Sequence, residues 1–546
     1  MSDLTFQTSP DEYKHWKFRV DGAIAHLNMD VEQEDGEDDA EYQRKLNSYD
    51  IHVDIELADA VERLRFEYPN VKVVVVGSEK ERIFCAGANI FMLAGSGHPF
   101  KVNFCKFTNE TRLGIEDASE NTGIKFIAAV KGTASGGGYE LALACDEILL
   151  IDDRSSAVSF PEVPLLGVLP GTGGLTRVVD KRKVRRDLAD VFSTTAEGVR
   201  GKRAVQWGLV DAIFPKSKFD EEVAKRADAL VETGAERPGA GVELTPIVPA
   251  EDDGTFTYEY VTLKVDSDAR TATIEMRGPE VESVTDVAKI REQGAAWWPL
   301  QAFRELDDAL LRLRFNHLEA GLVLLHTRGD ADLIASYDRV LAEKAEDDWF
   351  IREARTKMKR VLKRLDLTAR TVFALADEES CFAGTFLELA LAADRVYMLD
   401  SPDDEVFLRV GPLSGGQFPM SNGLSRLETR FLGEPEKVGE ILECSDPIDA
   451  EEALDLGLVT FAPDDLDWED EIRLVIEERA SYSPDALTGM EASLRFAGPE
   501  TMETKIFGRL SAWQNWIFQR PNAVGGQGAL TLYGRPERAV FDWRRT

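Results

Sequence analysis

The segment Gly132–Glu140, Gly-Thr-Ala-Ser-Gly-Gly-Gly-Tyr-Glu, combines an open backbone with a carboxylate. It follows a strand-like run at 125–130 and precedes an apolar run at 141–145, so the glycines are predicted to lie where a strand turns into a helix. The first amides of a helix have no intrahelical acceptor and attract negative charge, and glycine lets another molecule approach them closely. A carboxylate such as Glu140 in an apolar helix is costly unless it has a partner or a chemical role. We therefore predict a functional site here.

The overall composition limits the classes of partner. A net charge of −35 argues against nucleic acid and against an anionic membrane surface. No apolar run approaches the roughly 20 residues of a membrane-spanning helix, and the first residues lack a signal-peptide pattern. The five cysteines show no CxxC spacing, and the six histidines are scattered. These features predict a cytoplasmic protein without a metal site.

The chain contains an internal duplication. Residues 140–152 align without gaps to residues 388–400, and seven of these thirteen positions are identical. Residues 204–210 match 453–459 at nearly the same offset. The intervening segment 236–257 is rich in Pro, Gly and acidic residues and is predicted to be a linker. We therefore expect one domain at 1–235, a second at 258–485 and a helical extension at 486–546.

The two copies differ where chemistry is expected. Gly136–Gly138 of the first copy becomes Gly384-Thr385-Phe386 in the second, which removes the open backbone. The second copy is therefore predicted to be structural, with Glu388 as a buried, paired carboxylate.

Four segments of the first copy follow one another along the chain: residues 84–90, 136–140, 160–174 and 207–211. In this order they resemble the two oxyanion segments, the second-glutamate loop and the later Trp-Gly-Leu-Val-Asp run of the crotonase (enoyl-CoA hydratase/isomerase) superfamily. The resemblance extends over about residues 13–235, and over 258–485 as a degraded repeat. It implies an α/β fold of the crotonase type, a ββα superhelix, present twice with a degenerate second copy and a C-terminal helical extension.

The resemblance also assigns roles to residues. The backbone N–H groups of Ala88 and Gly137 would form an oxyanion hole for a coenzyme A thioester carbonyl, where fixed amide dipoles stabilise developing negative charge. Glu140 and Glu162 match the catalytic pair of the hydrating enzymes, and two such carboxylates titrate as a unit. The alternative is that Glu162 caps a loop and that Glu140 holds a buried partner.

Further residues are candidates near this site. The glycines that flank the oxyanion donors are expected to contact substrate, and these are Gly87, Gly136 and Gly138. Cys105 is a further candidate catalytic residue, because it lies where crotonases line the acyl pocket and Lys106 beside it would lower the pKa of a thiol. A buried core thiol is the alternative for Cys105. Asn89 stands where many relatives have Asp, and the acidic stretch 32–39 is expected to be a solvated loop.

The doubled architecture resembles a ring-opening branch of the superfamily that acts on an epoxide of an aromatic acyl-CoA. This implies an acyl-CoA as the small-molecule partner and no cofactor or metal, since coenzyme A is part of the substrate. Crotonases usually form trimers. Because the second copy would cover surfaces that a trimer uses, we expect a homo-oligomer and specifically a dimer.

Three other functions fit parts of the sequence. An enoyl-CoA hydratase or isomerase on an aliphatic substrate is the nearest. A nicotinamide oxidoreductase is disfavoured because the only later Tyr-xxx-Lys, Tyr260 to Lys264, lies in a strand-like segment. A non-catalytic acyl-CoA-binding protein is disfavoured because Gly137, Glu140 and Glu162 are all present.

Overall fold

The computed structural model describes residues 3–31, 46–402 and 406–546. The chain forms two compact units, Phe6–Pro246 and Ile247–Thr546, and the second also includes residues 3–5. We call them the N-terminal and C-terminal units. The acidic stretch 32–39, predicted to be a loop, lies outside the described residues. None of the helices in the described ranges is both long and apolar enough to cross a lipid bilayer.

The N-terminal unit alternates strands and helices. Its strands are β1 (Trp16–Asp21), β2 (Ile24–Met29), β3 (Val73–Ser78), β4 (Arg82–Cys85), β5 (Lys125–Val130), β6 (Gly132–Ser135), β7 (Glu147–Asp152), β8 (Val158–Ser159) and β9 (Ala212–Pro215). Its helices are α1 (Ile51–Phe66), α2 (Ile90–Gly95), α3 (His98–Asn121), α4 (Gly137–Ala144), α5 (Gly174–Thr176), α6 (Arg186–Ser193), α7 (Gly201–Gln206) and α8 (Phe219–Thr233).

These strands form two sheets. The six-stranded sheet has the order β1-β2-β3-β5-β7-β9 and is parallel except for the β1–β2 pair. Its central strands are almost wholly buried, as expected for a parallel sheet covered on both faces. The short parallel sheet β4-β6-β8 brings residues 82–85, 132–135 and 158–159 together, next to the start of α4.

The C-terminal unit also alternates strands and helices. Its strands are β10 (Ala250–Asp252), β11 (Thr255–Thr257), β12 (Val261–Asp266), β13 (Thr271–Arg277), β14 (Leu322–Arg328), β15 (Thr371–Ala376), β16 (Phe382–Ala383), β17 (Arg395–Met398) and β18 (Leu408–Arg409). Its helices are α9 (Val287–Gln293), α10 (Trp298–Asn316), α11 (Ala331–Lys344), α12 (Trp349–Asp366), α13 (Leu387–Ala392), α14 (Arg426–Arg430), α15 (Glu436–Glu443), α16 (Ala450–Leu456), α17 (Trp468–Ala480), α18 (Pro484–Leu494), α19 (Met502–Lys505), α20 (Ser511–Ile517), α21 (Pro521–Val524) and α22 (Ala529–Leu532).

The C-terminal unit repeats the topology of the first. The order β12-β13-β14-β15-β17 reproduces β1-β2-β3-β5-β7, and again only the first of these pairs is antiparallel. The β16–β18 pair likewise corresponds to β6–β8. The duplication seen in the sequence is therefore also a duplication of strand order.

The predicted linker, residues 236–257, differs from the structure. The boundary between the units lies at Pro246 and Ile247, and β10 and β11 extend the second sheet. Before the boundary, the buried Arg237 guanidinium donates to the carbonyls of Arg65 and Val71, both at 2.9 Å. Arg237 therefore fixes the first part of this segment on the N-terminal unit. The Pro- and Gly-rich composition did not reveal these backbone contacts.

A buried ionic cluster stabilises the second copy. Glu388 on α13 accepts from Arg426 at 3.0 Å, and Arg426 also pairs with Asp366 at 2.7 Å. All three side chains are almost completely buried. The prediction that Glu388 is a buried, paired carboxylate is confirmed.

Replacing Arg426 with alanine should strongly destabilise the C-terminal unit, because it leaves two buried carboxylates without their cation. Removing one partner of a buried pair costs about 3–5 kcal/mol. The free energy of unfolding, measured with urea, should fall by about this amount. Arg473→Ala, which removes an exposed arginine on α17, is the matched control and should change stability by less than about 0.5 kcal/mol. Equal stability of the two variants would contradict this account of the cluster.

Candidate active site

The candidate site is built on the turn between β6 and α4. Gly136 connects them with φ +54°, a left-handed conformation that favours glycine. Its amide donates to the carbonyl of Ser159 on β8 at 2.9 Å, which fixes the turn to the neighbouring strand. A Cβ at Gly136 would lie 2.3 Å from Oε1 of Glu162. The glycine is therefore required for the Glu162 carboxylate to lie against this turn.

A second segment meets the turn at residues 87–89. Tyr49 donates its amide to the Gly87 carbonyl at 3.0 Å and accepts from the Asn89 amide at 2.8 Å. In this parallel pairing the intervening Ala88 amide points away from Tyr49. A Cβ at Gly87 would lie 2.9 Å from the Gly137 nitrogen, so the two segments are in close contact. In the described ranges, no acceptor is present for the amides of Ala88 and Gly137.

Glu140 lies on α4 and is buried. Its Oε1 accepts from the amides of Thr172 at 2.9 Å and Gly174 at 2.7 Å, and its Oε2 accepts from the Thr172 hydroxyl. A carboxylate has about four lone-pair sites, so these three donors fill most of them. The loop 172–174 thus fixes the position of Glu140.

Glu162 begins a π-helical turn, Glu162–Leu166, and is in a different environment. Its Oε2 is buried, and no hydrogen-bond partner for it is present in the described ranges. Burial, together with the nearby charge of Glu140, raises the pKa of Glu162 to about 7. Glu162 can therefore exchange a proton near neutral pH.

Cys105 lies on α3 at the edge of the same region. Its Sγ would be 3.8 Å from a Cβ at Gly171, in the loop that leads to Thr172. Burial and the Glu140 charge raise its pKa to about 11, so the expectation that Lys106 lowers it is wrong. Cys105 is present as a neutral thiol, which is a weak nucleophile.

The other glycines have distinct surroundings. A Cβ at Gly138 would lie 2.2 Å from the Cys85 carbonyl oxygen, so this glycine allows α4 to pack against β4. The substrate contacts assigned to Gly87, Gly136 and Gly138 stay predictions. Asn89 caps α2, because its side chain accepts from the Met92 amide at 3.1 Å. Among the described residues, no group of three or more His, Cys, Asp and Glu is arranged to hold a metal ion.

Tyr49 was missed by the sequence analysis. A Cβ at Gly137 would lie 1.9 Å from its hydroxyl oxygen, so the hydroxyl lies directly against the start of α4. The Arg112 guanidinium stacks on its ring at 5.0 Å and pairs with Asp54 at 2.9 Å. Burial raises the pKa of Tyr49 well above its usual value, so the phenol stays protonated. Residues 47–49 carry no sequence motif that would have indicated this position.

Arg177 was also missed, and it supports the loop that holds Glu140. Its guanidinium donates to the Thr172 carbonyl at 2.9 Å and forms a two-pronged pair with Glu116 at 2.8 and 2.9 Å. A Cβ at Gly173 would lie 2.3 Å from Arg177 Nη1, so glycine is needed at this bend.

Comparison with known proteins places this chain in a family. A profile described as enoyl-CoA hydratase/isomerase matches residues 41–238. A benzoyl-CoA-dihydrodiol lyase from Aromatoleum evansii is 54% identical over 544 residues, which cover 99% of this chain and 98% of that protein. The chain belongs to this lyase family. As the profile match indicates, the family lies within the crotonase superfamily, and the N-terminal unit has the crotonase-like α/β fold.

More distant relatives match part of the chain. The fatty acid oxidation complex subunit alpha of Shewanella loihica is 31% identical over 200 residues, 36% of this chain and 26% of that protein. A solved enoyl-CoA hydratase from Geobacillus kaustophilus is 31% identical and has a TM-score of 0.35, covering 40% of this chain and 75% of its own. The match to the lyase extends over both units, whereas these matches cover less than half of the chain.

The raised pKa of Glu162 has a consequence for stability. Its folded-state pKa of about 7 exceeds the ordinary value of 4.5, so the folded state binds the proton more tightly than the unfolded state. The contribution of Glu162 to the free energy of unfolding should therefore decrease as pH rises from about 4.5 to about 7. Urea unfolding of wild type and Glu162→Gln across this window measures the difference. The Gln variant should gain stability relative to wild type as pH rises, and parallel curves would contradict the assignment.

Proposed function

We propose that this protein is a ring-opening lyase that acts on 2,3-epoxybenzoyl-CoA. It would add two waters, cleave the ring and release formate with 3,4-didehydroadipyl-CoA semialdehyde, a step of aerobic benzoate degradation. The full-length similarity to a benzoyl-CoA-dihydrodiol lyase supports an aromatic acyl-CoA over an aliphatic one. The observation that carries the proposal is the Glu162 carboxylate, with its unpartnered Oε2, lying against the Gly136 turn next to the buried Glu140.

The oxyanion hole is the first element of the mechanism. The amides of Ala88 and Gly137 would donate to the thioester oxygen, which gains negative charge as electrons move from the ring into the carbonyl. Their lack of acceptors and the close contact between Gly87 and the Gly137 nitrogen support this assignment. Fixed donors of this kind are typically worth about 3 kcal/mol each in the transition state. The thioester thereby becomes an electron sink for epoxide opening and for the later carbon–carbon cleavage.

The two carboxyl groups would divide the proton transfers between them. Glu140, held by three donors, would orient and activate water as a carboxylate. Glu162, with its pKa of about 7, would give a proton to the opening epoxide oxygen and take one from the second water. Cys105 would line the pocket as a neutral thiol and not act as a nucleophile.

We propose that the reaction uses no cofactor beyond the coenzyme A of the substrate. Both additions are of water, and the products contain all atoms of the epoxide thioester and two waters, so no oxidant or reductant is consumed. The dimeric assembly and the cytoplasmic location stay predictions from the sequence.

The direct test is incubation of the protein with enzymatically prepared 2,3-epoxybenzoyl-CoA, with formate as the readout. We expect stoichiometric formate, and in a parallel reaction little hydration of crotonyl-CoA. Hydration of crotonyl-CoA without formate release would favour the enoyl-CoA hydratase alternative.

Glu162→Gln should lower kcat by about 10²–10⁴-fold, the usual contribution of a positioned acid–base group. Acyl-CoA affinity should change little, because glutamine keeps the shape of the side chain. Turnover of the epoxide thioester and calorimetric binding of benzoyl-CoA measure the two effects. Full activity of this variant would refute the role of Glu162.

Tyr49→Phe should lower kcat by about tenfold, or about 1.4 kcal/mol. The variant removes only the hydroxyl group that lies against Gly137 and would orient water or the thioester oxygen. Tyr139→Phe is the matched control, because the Tyr139 hydroxyl is also buried but donates at 2.7 Å to the Leu209 carbonyl. That control should lose stability and keep its kcat. A Tyr49→Phe enzyme with unchanged kcat would remove Tyr49 from the mechanism.

A further inference from the structure

The C-terminal unit contains a cavity of about 530 Å³ beside β16 and β18. One face of α11 forms its first wall, and the turn after β16 and the loop after β18 form the others. Gly384, which follows β16, lines it and has φ +53°, as Gly136 has φ +54° in the first copy.

The strand registers show what this cavity corresponds to. Ser135 pairs with Ser159 in the N-terminal unit, and Ala383 pairs with Arg409 in the C-terminal unit. Three residues further along, Glu162 therefore corresponds to Pro412, which lines the cavity. The cavity is thus the counterpart of the candidate active site, without its acid.

In the second copy, the amide that corresponds to that of Gly137 already has an acceptor within the protein. Thr385 corresponds to Gly137, and its amide donates to Asp338 Oδ2 at 2.8 Å. The Thr385 hydroxyl also donates to this buried carboxylate. The chain's own carboxylate therefore occupies the amide that would bind a thioester oxygen.

The cavity wall carries charges of both signs. Arg339 and Arg409 line it together with the carboxylate of Asp332, and the buried Asp338 carboxylate lies behind Gly384 and Gly411. Asp332 pairs with Arg409 at 2.6 Å but is 83% exposed, and such a pair is weak. Within the described ranges, the Arg339 guanidinium makes one hydrogen bond, from Nε to the Ala335 carbonyl at 3.3 Å, and no ion pair. Its terminal nitrogens are available to a ligand.

Apart from Ser445, the rest of the wall is apolar and small. Ala331 and Ala335 on α11 line it together with Ala383, Val410 and Pro412, which suits a compact hydrophobic body. Pockets for small molecules commonly combine such walls with a few polar groups that fix orientation. A guanidinium is the side chain best suited to bind a carboxylate or phosphate with two parallel hydrogen bonds.

We propose that this cavity is a second ligand site, distinct from the candidate active site, for a small organic anion. The carboxylate or phosphate group of the ligand pairs with Arg339 and Arg409, and its apolar body lies against the alanines of α11. The site binds its ligand without converting it, because Pro412 replaces the acid and Asp338 fills the anion-binding amide.

Calorimetric titration of the full-length protein tests the site, with sodium benzoate and inorganic phosphate as separate probes. We expect at least one probe to bind with a Kd below about 1 mM, a range readily measured. The probe that binds distinguishes a carboxylate from a phosphate ligand. Failure of both probes to bind would overturn the proposal.

The double variant Arg339→Ala/Arg409→Ala should weaken that binding at least tenfold. Formate release from the epoxide thioester should be unchanged, since neither arginine belongs to the candidate active site. Arg473→Ala is the matched control, because it removes an exposed arginine on α17 that does not line the cavity. Circular dichroism confirms that the double variant is folded. Undiminished binding in a folded double variant would assign the anion to another part of the protein and refute the site.

Discussion

The site depends on the left-handed backbone of Gly136 more than on any side chain. With φ +54° and no Cβ, this residue turns β6 into α4 and leaves room for the Glu162 carboxylate. Any side chain here would both strain the backbone and displace that carboxylate. The contacts of Gly87 and Tyr49 with Gly137 depend on the same close approach. A turn without side chains is therefore what lets two amides, a phenol and a carboxyl group share one small region.

The carboxyl groups of Glu140 and Glu162 lie close together but in different surroundings. Glu140 is held by the 172–174 loop, which Arg177 in turn anchors. Glu162 has a buried oxygen without a partner, and its pKa is raised to about 7. Burial, together with the nearby charge of Glu140, is what brings the pKa of Glu162 close to neutrality.

Much of this organisation could be predicted from the sequence, because it depends on short local patterns. The glycine run identified the strand-to-helix turn, and the repeat around Glu140 and Glu388 identified the duplication. What could not be predicted depends on contacts between distant residues. The hydroxyl of Tyr49 lies against Gly137, 88 positions away, and nothing near Tyr49 in the sequence signals this. The same holds for the pKa of Cys105, which burial and Glu140 determine instead of its neighbour Lys106.

The contact between Asp338 and Thr385 has a consequence for stoichiometry. A duplicated enzyme would ordinarily offer two equivalent centres per polypeptide, each competing for the same thioester. Here the buried Asp338 carboxyl group accepts hydrogen bonds from both the amide and the hydroxyl group of Thr385 in the second copy. The described residues therefore contain one candidate centre with an amide like that of Gly137 left without an acceptor, although the strand order occurs twice.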